Sequence, residues 1–236
     1  MIRLGELSAD QVEPLLKDRS TIVVLPVGSV EQHCRGPIGA DSVIAQRVAE
    51  LACEKLESSG WRCVVAPPIE YGFSAEWAKA PGTLSLSLST FTSLLKEVIS
   101  GLIRMGAVNV AVINGHYGNS PAIEAALRDL MPSLAPDVVV VHVNYWEALD
   151  IDVGHAAEAE AEVMRALGYT VDFGRCACEV AESPRGVRVY RNPVEAPAQL
   201  RVPAKGELTS DYIGAVVGSA VERGIVAARG NRRPLP

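Results

Sequence analysis

The sequence predicts an α/β fold, namely a single domain in which a mostly parallel sheet is flanked by helices. Four runs of β-branched and other apolar residues are nearly continuous, which is typical of strands covered on both faces. Helical patterns lie between these runs, and this alternation indicates parallel strands joined by right-handed crossovers. A length of 236 residues fits one domain of this class, and no linker or repeat divides 1–236.

The predicted strands share a high valine content and cover residues 21–27, 62–68, 108–114 and 137–144. A helix is predicted over 41–59, where apolar residues recur at helical spacing and Gly60 provides a stop signal. Asp41 lies directly before a helix that starts near Ser42, so we also expect it to act as the N-cap.

The same spacing predicts further helices over 90–105, 121–131, 155–167 and 206–227. The stretch 171–204 is rich in Pro, Arg and Val, which is typical of short strands and loops. Residues 228–236 are predicted to form a loose tail.

Composition excludes several classes of function. The formal net charge is −6 and no run of like charges occurs, which argues against a nucleic-acid partner. No apolar stretch reaches the ~18–20 residues needed to span a bilayer. The N-terminus lacks the basic and apolar blocks of a secretory signal, so we expect a cytoplasmic protein without a membrane partner.

The cysteines do not predict a disulfide framework. Their number is odd, the chain is large and no signal peptide is recognisable. Cys176 and Cys178 have the spacing of a metal clip, but no second Cys or His pair lies nearby. Two half-buried thiols on one face of a strand explain that pair more simply.

Polar and aromatic residues follow three of the four predicted strands. Glu31 and His33 come after the first strand, His116 after the third, and Tyr145 and Trp146 after the fourth. In open parallel sheets, ligands bind beyond the carboxyl ends of the strands. We therefore expect these side chains to converge on an active site at one edge of the sheet.

The histidines favour a metal site. His142 lies inside a predicted strand and is interpreted as a core histidine, whereas the other three lie at element boundaries beside glycine or carboxylate. Two divalent ions need about three protein ligands each, drawn from imidazole and carboxylate. Five side chains provide enough ligands if one carboxylate bridges the two ions. They are Glu31, His33, Asp41, His116 and a carboxylate after His155.

The motifs "LPVGSVEQH…GAD", "APGTLSLS", "INGHYGNS" and "GHAAEAEAEV" occur in this order over nearly the whole chain. With them the chain resembles the creatininase family of binuclear metal amidohydrolases. The resemblance implies a parallel α/β fold, two divalent ions (Zn, Mn or Fe) and assembly as a homo-oligomer, commonly a hexamer.

The resemblance also implies a ligand set. One metal would be held by Glu31, Asp41 and His116. The other would be held by His33 and Asp41, so that Asp41 bridges the two ions. The glutamate of the family's "HAGExET" motif falls on Glu160, which is favoured as the fifth ligand over Glu158.

The implied chemistry is the attack of a metal-bound hydroxide on an amide or formamide carbonyl. Protonation of the leaving nitrogen completes the reaction, and His155 is the candidate for that step because an imidazole titrates near working pH. Glu158 is the second candidate, although a glutamate in the first turn also stabilises a helix through its dipole.

Four residues are candidates for substrate binding. Trp77, Tyr117 and Trp146 could surround a flat heterocycle, and the alternative is that they pack in the core or at a subunit interface. Ser74 matches a family position near the substrate. The "NGHYEN" of true creatininases is "NGHYGN" here, with Gly118 in place of glutamate.

We therefore predict a metal-dependent amidohydrolase that cleaves a C–N bond of a small cyclic amide or formamide. Formamidopyrimidine deformylase-like activity is favoured because the loop from His33 to Asp41 is short and the composition is lean. Creatinine hydrolysis is less favoured because the glutamate of "NGHYEN" is missing. One alternative is a cofactor-precursor peptidase of the same family. The other is a non-catalytic binding relative in which the metals only stabilise the structure.

Overall fold

The computed structural model describes residues 1–174 and 208–229. The predictions for Cys176, Cys178 and the tail after residue 229 lie outside the described residues, as does most of 171–204. The strands are β1 Ile2–Arg3, β2 Thr21–Val27, β3 Arg62–Val65, β4 Asn109–Asn114 and β5 Val139–Asn144. The helices are α1 Ala9–Lys17, α2 Ala40–Ser58, α3 Leu88–Arg104, α4 Ser120–Leu130, α5 Tyr145–Ala148, α6 Glu158–Ala166 and α7 Ser210–Ala228.

The described strands form one five-stranded sheet in the order β1-β3-β2-β4-β5, and every neighbouring pair is parallel. The prediction of a parallel sheet with helical crossovers is therefore confirmed. β3 ends at Val65, earlier than the predicted 62–68, because Pro67 and Pro68 have no N–H to donate to a neighbouring strand. β1 and α5 are too short to be predicted from the sequence. α1 was not predicted, although it is amphipathic and has a capping box formed by Ser8 and Gln11.

Helices cover both faces of the sheet. Ile22 and Val24 of β2 pack against α2 and α7, whereas Val23 and Leu25 point to the opposite face and pack with α1, α3 and α4. All seven residues of β2 are buried. This burial on both faces explains why the strand is apolar without the alternation of a half-exposed strand.

The strand order reverses between β2 and β4. The chain leaves β2 through α2 to reach β3 on one side, and it leaves β4 through α4 to reach β5 on the other. Loops that leave neighbouring strands in opposite directions open a crevice at the carboxyl end of the sheet. The loop after β2 carries Glu31 and His33, and the loop after β4 carries His116, so both contribute to this crevice.

Two glycines allow the first turn of α2 to enter the crevice. A Cβ atom on Gly28 would lie 2.3 Å from the Cα of Ser42, and one on Gly115 would lie 2.2 Å from the carbonyl oxygen of Asp41. A real Cβ atom does not tolerate such distances. The start of α2 therefore packs directly on the backbone that leaves β2 and β4.

The prediction that Asp41 is the N-cap of its helix is wrong. α2 begins one residue earlier than predicted, at Ala40, and its N-cap is Gly39. Asp41 lies inside the first turn, where a carboxylate still interacts favourably with the helix dipole. Its side chain is therefore not needed to cap the helix and is available as a ligand in the crevice.

The cysteines were not predicted to form a disulfide framework, but the described residues include a disulfide bond. Cys53 on α2 and Cys63 on β3 are joined, with their Cα atoms 5.3 Å apart. Both residues are buried in the core between the helix and the sheet. The cysteine number and the chain length gave no sign of this contact, because it depends on how α2 packs over β3.

Within the described ranges, no helix has the length and apolar character that a membrane span requires.

We predict that Gly115→Ala displaces the start of α2. The substitution forces a methyl group against the backbone of Asp41, so we expect the free energy of unfolding to fall by about 1–3 kcal/mol. Retention of added Zn should fall as well, because Asp41 moves with the helix. Urea unfolding and metal analysis after dialysis measure the two effects.

The matched control is Gly101→Ala in α3, where the new Cβ meets only Arg104 at an ordinary 3.8 Å. An alanine within a helix is favoured over glycine, so this variant should be as stable as the parent or slightly more stable. Equal stability and equal Zn retention in both variants would contradict the prediction.

Candidate metal site

The loop after β2 folds back on itself before α2 begins. The N–H of Glu31 donates to the carbonyl of Ile38 at 2.9 Å, and the N–H of Gly36 donates to the carbonyl of His33 at 2.7 Å. Cys34, between them, has a φ of 56°, in the left-handed region. The loop therefore returns the chain so that Asp41 faces Glu31 and His33.

Asp41 lies between two histidines. Its Oδ1 is 3.6 Å from His33 Nε2, and its Oδ2 is 3.2 Å from His116 Nδ1. Glu31 Oε1 approaches the same His116 nitrogen at 3.2 Å, and Glu160 Oε1 approaches His33 Nε2 at 3.4 Å. The two oxygens of Asp41 thus face two separate clusters, as a bridging carboxylate does.

The distances fit divalent metals. Two ligand atoms that each lie about 2.1 Å from a tetrahedral Zn ion are roughly 3.4 Å apart. The side chains of Glu31, His33 and Asp41 are at most 4% exposed, yet both oxygens of Glu31, His33 Nε2 and Asp41 Oδ2 lack a hydrogen-bond partner. Buried carboxylates without partners are costly, and a bound cation would remove that cost.

Hydrogen bonds to the backbone orient both histidines. His33 Nδ1 lies 3.0 Å from the carbonyl of Glu31, and His116 Nε2 lies 3.2 Å from the carbonyl of Phe73. A carbonyl only accepts, so these nitrogens carry the protons. The opposite nitrogens, His33 Nε2 and His116 Nδ1, face the carboxylates and have lone pairs available for a metal.

The histidines and carboxylates of the metal-free site shift one another's pKa values. Burial lowers the pKa of His33, but the carboxylates of Glu160 and Asp41 outweigh it and raise the pKa well above 6.5. Burial likewise lowers the pKa of His116, and Glu31 and Asp41 raise it well above the same value. Burial raises the pKa of Glu31, but His116 and His155 hold it far below its ordinary value. Protons therefore occupy the positions that cations would take.

His155 lies beside Glu31, with Nδ1 3.1 Å from Glu31 Oε1. Its Nε2 is 2.9 Å from the amide nitrogen of Gln32, whose oxygen accepts the N–H of Cys34. Because the Gln32 nitrogen donates, His155 Nε2 accepts and the imidazole proton is on Nδ1. Trp77 stacks on the same ring with the centroids 4.2 Å apart, which holds the imidazole in place.

The two glutamates of α6 have different environments. Glu160 is buried, and its Oε2 accepts the N–H of Ala156 at 2.7 Å, so the carboxylate is held toward His33. Glu158 is 74% exposed and pairs with Arg165 on the surface of the helix. The groups that could hold a metal include Glu160 and not Glu158. The geometry therefore favours Glu160 as the fifth ligand.

The candidate substrate residues lie close to the site, but most are not open to solvent. Ser74 is fully buried behind His116, with its Oγ 3.2 Å from Nε2. Trp77 and Trp146 are also buried, and Trp146 belongs to the core. Tyr117 is 60% exposed and its ring lies 6.0 Å from that of Trp146. An open aromatic box is not formed, and contact of these residues with a substrate stays a prediction.

Sequence reasoning missed one residue at the site. Glu76, in the 3-10 turn Ala75–Trp77, has its Oε1 3.7 Å from His116 Nε2, and burial raises its pKa. The signal was its position two residues after Ser74.

Tyr145 was expected near the site because it follows the fourth predicted strand. It is fully buried with an unpartnered hydroxyl, and its pKa is raised by burial and by Glu160 and Asp41.

His142 is half-buried in β5. It belongs to none of the three groups of described side chains that could hold a metal, which are Glu31 with His33 and His155, Glu31 with Glu76 and His116, and His33 with Asp41 and Glu160. Burial lowers its pKa, which is the opposite of the shift at His33 and His116. His142 therefore lies apart from the other three histidines, as the sequence analysis expected.

Comparison with known proteins identifies the family. The profile described as "Creatininase: Creatinine amidohydrolase" matches residues 5–197. The chain is 30% identical to creatinine amidohydrolase of Pseudomonas putida over 233 residues, which cover 88% of this chain and 86% of the relative. The chain therefore belongs to the creatininase family of metal-dependent amidohydrolases.

Other relatives widen the range of activities. The mycofactocin precursor peptide peptidase of Mycolicibacterium smegmatis is 37% identical over 108 residues, less than half of either chain. A crystal structure of creatinine amidohydrolase superimposes with a TM-score of 0.68 at 26% identity, covering 100% of this chain and 99% of that one. Two further structures, each 25% identical, are described as a Zn-Zn type and a Mn form of creatininase.

We predict that Asp41→Asn removes most of the bound metal. Asparagine keeps the size of the side chain but cannot place an anionic oxygen toward each cluster, so metal content should fall more than about tenfold. Elemental analysis of protein reconstituted with Zn or Mn measures the loss. Asp129→Asn, which breaks only an exposed pair with Lys96, is the control and should bind metal like the parent. Full metal content in Asp41→Asn would remove the central ligand from this interpretation.

The raised histidine pKa values predict a pH dependence of stability in metal-free protein. A group whose pKa is raised by folding stabilises the folded state fully at pH values below its pKa in the unfolded chain. That contribution is lost as the pH rises through the pKa in the folded protein. In the presence of a chelator, the free energy of unfolding should therefore fall as pH rises above about 6.5. Stabilisation by added Zn should instead grow with pH, because the metal needs unprotonated imidazoles.

Urea titrations between pH 6 and 9, with and without Zn, measure both trends. His142→Gln should retain both, since His142 lies outside the ligand clusters. A metal-free stability that is constant or increases across this range would show that the carboxylate–histidine pairs are not formed as described.

Proposed function

We propose that the protein hydrolyses a C–N bond of a small cyclic amide or formamide, with formamidopyrimidine deformylase-like activity preferred over creatinine hydrolysis. The observation that carries the proposal is the position of Asp41, whose two oxygens face His33 on one side and His116 on the other. Glu31 and Glu160 complete the two ligand clusters. Two divalent ions, Zn, Mn or Fe, would be held there.

When bound, divalent ions at this site lower the pKa of a water molecule and polarise a carbonyl oxygen. The protein's own contribution is to keep the ligands unprotonated and fixed. The backbone carbonyls behind His33 and His116 hold the protons on the far nitrogens. The N–H of Ala156 fixes Glu160. Burial of the ligands also excludes bulk water, which strengthens every charge interaction in the site.

We assign protonation of the leaving nitrogen to His155, which would donate a proton as the imidazolium and be left as the neutral imidazole. Its Nδ1 lies 3.1 Å from Glu31 Oε1, and stacking on Trp77 keeps the ring beside the ligand cluster. Glu158, the second candidate for this step, pairs with Arg165 on the surface and is less suited to the role. Reprotonation from the half-exposed side of the crevice would return His155 to its starting state.

The preference for a formamide over creatinine rests on Gly118. True creatininases carry a glutamate at this position of their "NGHYEN" motif. In this chain a Cβ on Gly118 would lie 2.5 Å from His116 Nε2 and 2.6 Å from Glu76 Oε1. A Cβ would also lie 2.7 Å from the carbonyl oxygen of Phe73, so a glutamate at this position would require these neighbours to move. With glycine here, the substrate would meet different polar groups. The exposed Tyr117 is the candidate for contact with a flat ring.

Two alternatives are kept. Similarity to the mycofactocin precursor peptide peptidases supports a cofactor-precursor peptidase, although it covers only 45–54% of the chain. The loss of family polar groups, such as the glutamate at Gly118, is compatible with a non-catalytic relative. We also propose a cytoplasmic protein that forms a homo-oligomer, as the family resemblance implies.

We predict that the Zn-, Mn- or Fe-loaded protein releases formate from a formamidopyrimidine. A panel of formamides, cyclic amides including creatinine, and short peptides should be incubated with each metal form. Release of formate or amine is then measured. Asp41→Asn should be inactive on every compound, whereas Asp129→Asn should be as active as the parent.

The outcomes separate the proposals. Turnover of creatinine at a higher kcat/KM than the formamides would overturn the stated preference. Cleavage of peptides alone would support the cofactor-precursor peptidase. A protein that binds both metals but turns over none of the panel would support the non-catalytic relative.

A further inference from the structure

His155 is a third histidine beside the metal ligands, and its position alone does not keep it out of the ligand set. Its side chain is 19% exposed, and Nδ1 lies 3.1 Å from Glu31 Oε1. Its ring centroid lies 4.6 Å from that of His33. One donor atom from each of these three residues lies within 4.8 Å of the other two, so a single metal ion could bind all three. The hydrogen bonds of the ring must therefore decide whether His155 binds metal or stays free for proton transfer.

The two histidines assigned as ligands each have an acceptor on the far side of the ring. His33 Nδ1 lies 3.0 Å from the carbonyl of Glu31, and His116 Nε2 lies 3.2 Å from the carbonyl of Phe73. A metal-binding histidine usually donates its other N–H to a carbonyl, a carboxylate or water, which leaves the lone pair on the nitrogen that faces the metal. Both rings follow this rule.

His155 has the opposite arrangement, because Gln32 places a donor at the far side of its ring. The side-chain oxygen of Gln32 accepts the N–H of Cys34 at 3.1 Å, so the amide nitrogen is the atom that lies 2.9 Å from His155 Nε2. An amide nitrogen only donates, and it therefore requires the lone pair of the ring to be on Nε2. The ring proton is consequently on Nδ1, which faces Glu31, and a protonated nitrogen cannot bind a metal.

The backbone of the metal loop fixes the orientation of the Gln32 amide. A rotation of the amide by half a turn would set its NH2 group against the N–H of Cys34, so that two donors would face each other. The main-chain N–H of Gln32 also donates to Thr83 Oγ1 at 3.0 Å, which holds the residue in place. Gln32 is thus a fixed donor toward His155.

We propose that Gln32 is a positioning residue that keeps His155 out of the metal-ligand set and so reserves it for proton transfer. Gln32 fixes one proton on Nδ1, and Nε2 is left as the nitrogen that takes up and gives the transferred proton. The proposal rests on the hydrolytic function proposed above, because that function assigns proton transfer to His155.

Gln32→Glu tests the proposal, because a carboxylate at this position accepts where the amide nitrogen donates. One carboxylate oxygen can still accept the N–H of Cys34. The other draws the ring proton to His155 Nε2 and leaves the lone pair on Nδ1. His155 then has the same arrangement as His33 and His116, and it should become a third histidine ligand.

The readout is the proton NMR spectrum of protein loaded with Co, which is paramagnetic and takes the place of Zn. The ring N–H of each histidine bound to Co gives a strongly shifted, exchangeable signal, so these signals count the histidine ligands. We expect two signals in the parent and three in Gln32→Glu. The double variant Gln32→Glu with His155→Asn should return to two. Gln46→Glu, at a half-buried glutamine of α2, adds the same charge elsewhere and should also show two.

Two results would overturn the proposal. Three signals in the parent would show that His155 is already a ligand despite Gln32, and this result does not depend on the folding of any variant. Two signals in Gln32→Glu would show that the donor of Gln32 is not what excludes His155, and would leave Gln32 with a purely structural role.

The signal count is read separately from turnover. If the parent is active, kcat of Gln32→Glu should fall about 100-fold, because a metal-bound His155 can no longer transfer a proton. The expected counts in a protein that hydrolyses nothing would leave the role of Gln32 intact and reject the hydrolytic function. Hydrolysis of the panel with equal counts in the parent and Gln32→Glu would do the reverse.

Discussion

The burial of three carboxylates around two histidines is the constraint on which the rest of the site depends. Glu31, Asp41 and Glu160 lie out of water, and their nearest partners are imidazoles rather than lysine or arginine. Such a cluster is tolerated only if protons or metal ions neutralise it. The coupled pKa shifts and the unpartnered oxygens are both consequences of this single arrangement.

The fold makes this arrangement possible by bringing together segments that are distant in the sequence. The reversal of strand order at β2 and β4 opens the crevice, and the loops that leave these strands carry the ligands into it. Gly28 and Gly115 then allow α2 to approach closely enough for Asp41 to reach both histidines. The metal site is thus formed where strand topology and close helix packing coincide.

Family membership and geometry answer different questions about this protein. Membership of the creatininase family gives the class of chemistry, a metal-dependent attack on a C–N amide bond. The geometry describes the surroundings of His116, where Gly118 leaves the space that Glu76 Oε1 occupies. Substrate recognition should therefore depend on residues that the shared ligand set does not include.

The sequence by itself determined the parallel sheet and most of the ligand candidates. Continuous apolar runs are a local property of the sequence, and Glu31 and His116 each follow directly on such a run. The convergence of these two residues could therefore be predicted from the direction of the strands alone. Tertiary structure decided the rest. Glu158 and Glu160 are two residues apart on a helix and point in nearly opposite directions, so only the packing of α6 selects which one faces His33. The Cys53–Cys63 bond and the approach of Glu76 to His116 likewise depend on contacts between distant segments, for which a local sequence pattern has no signal.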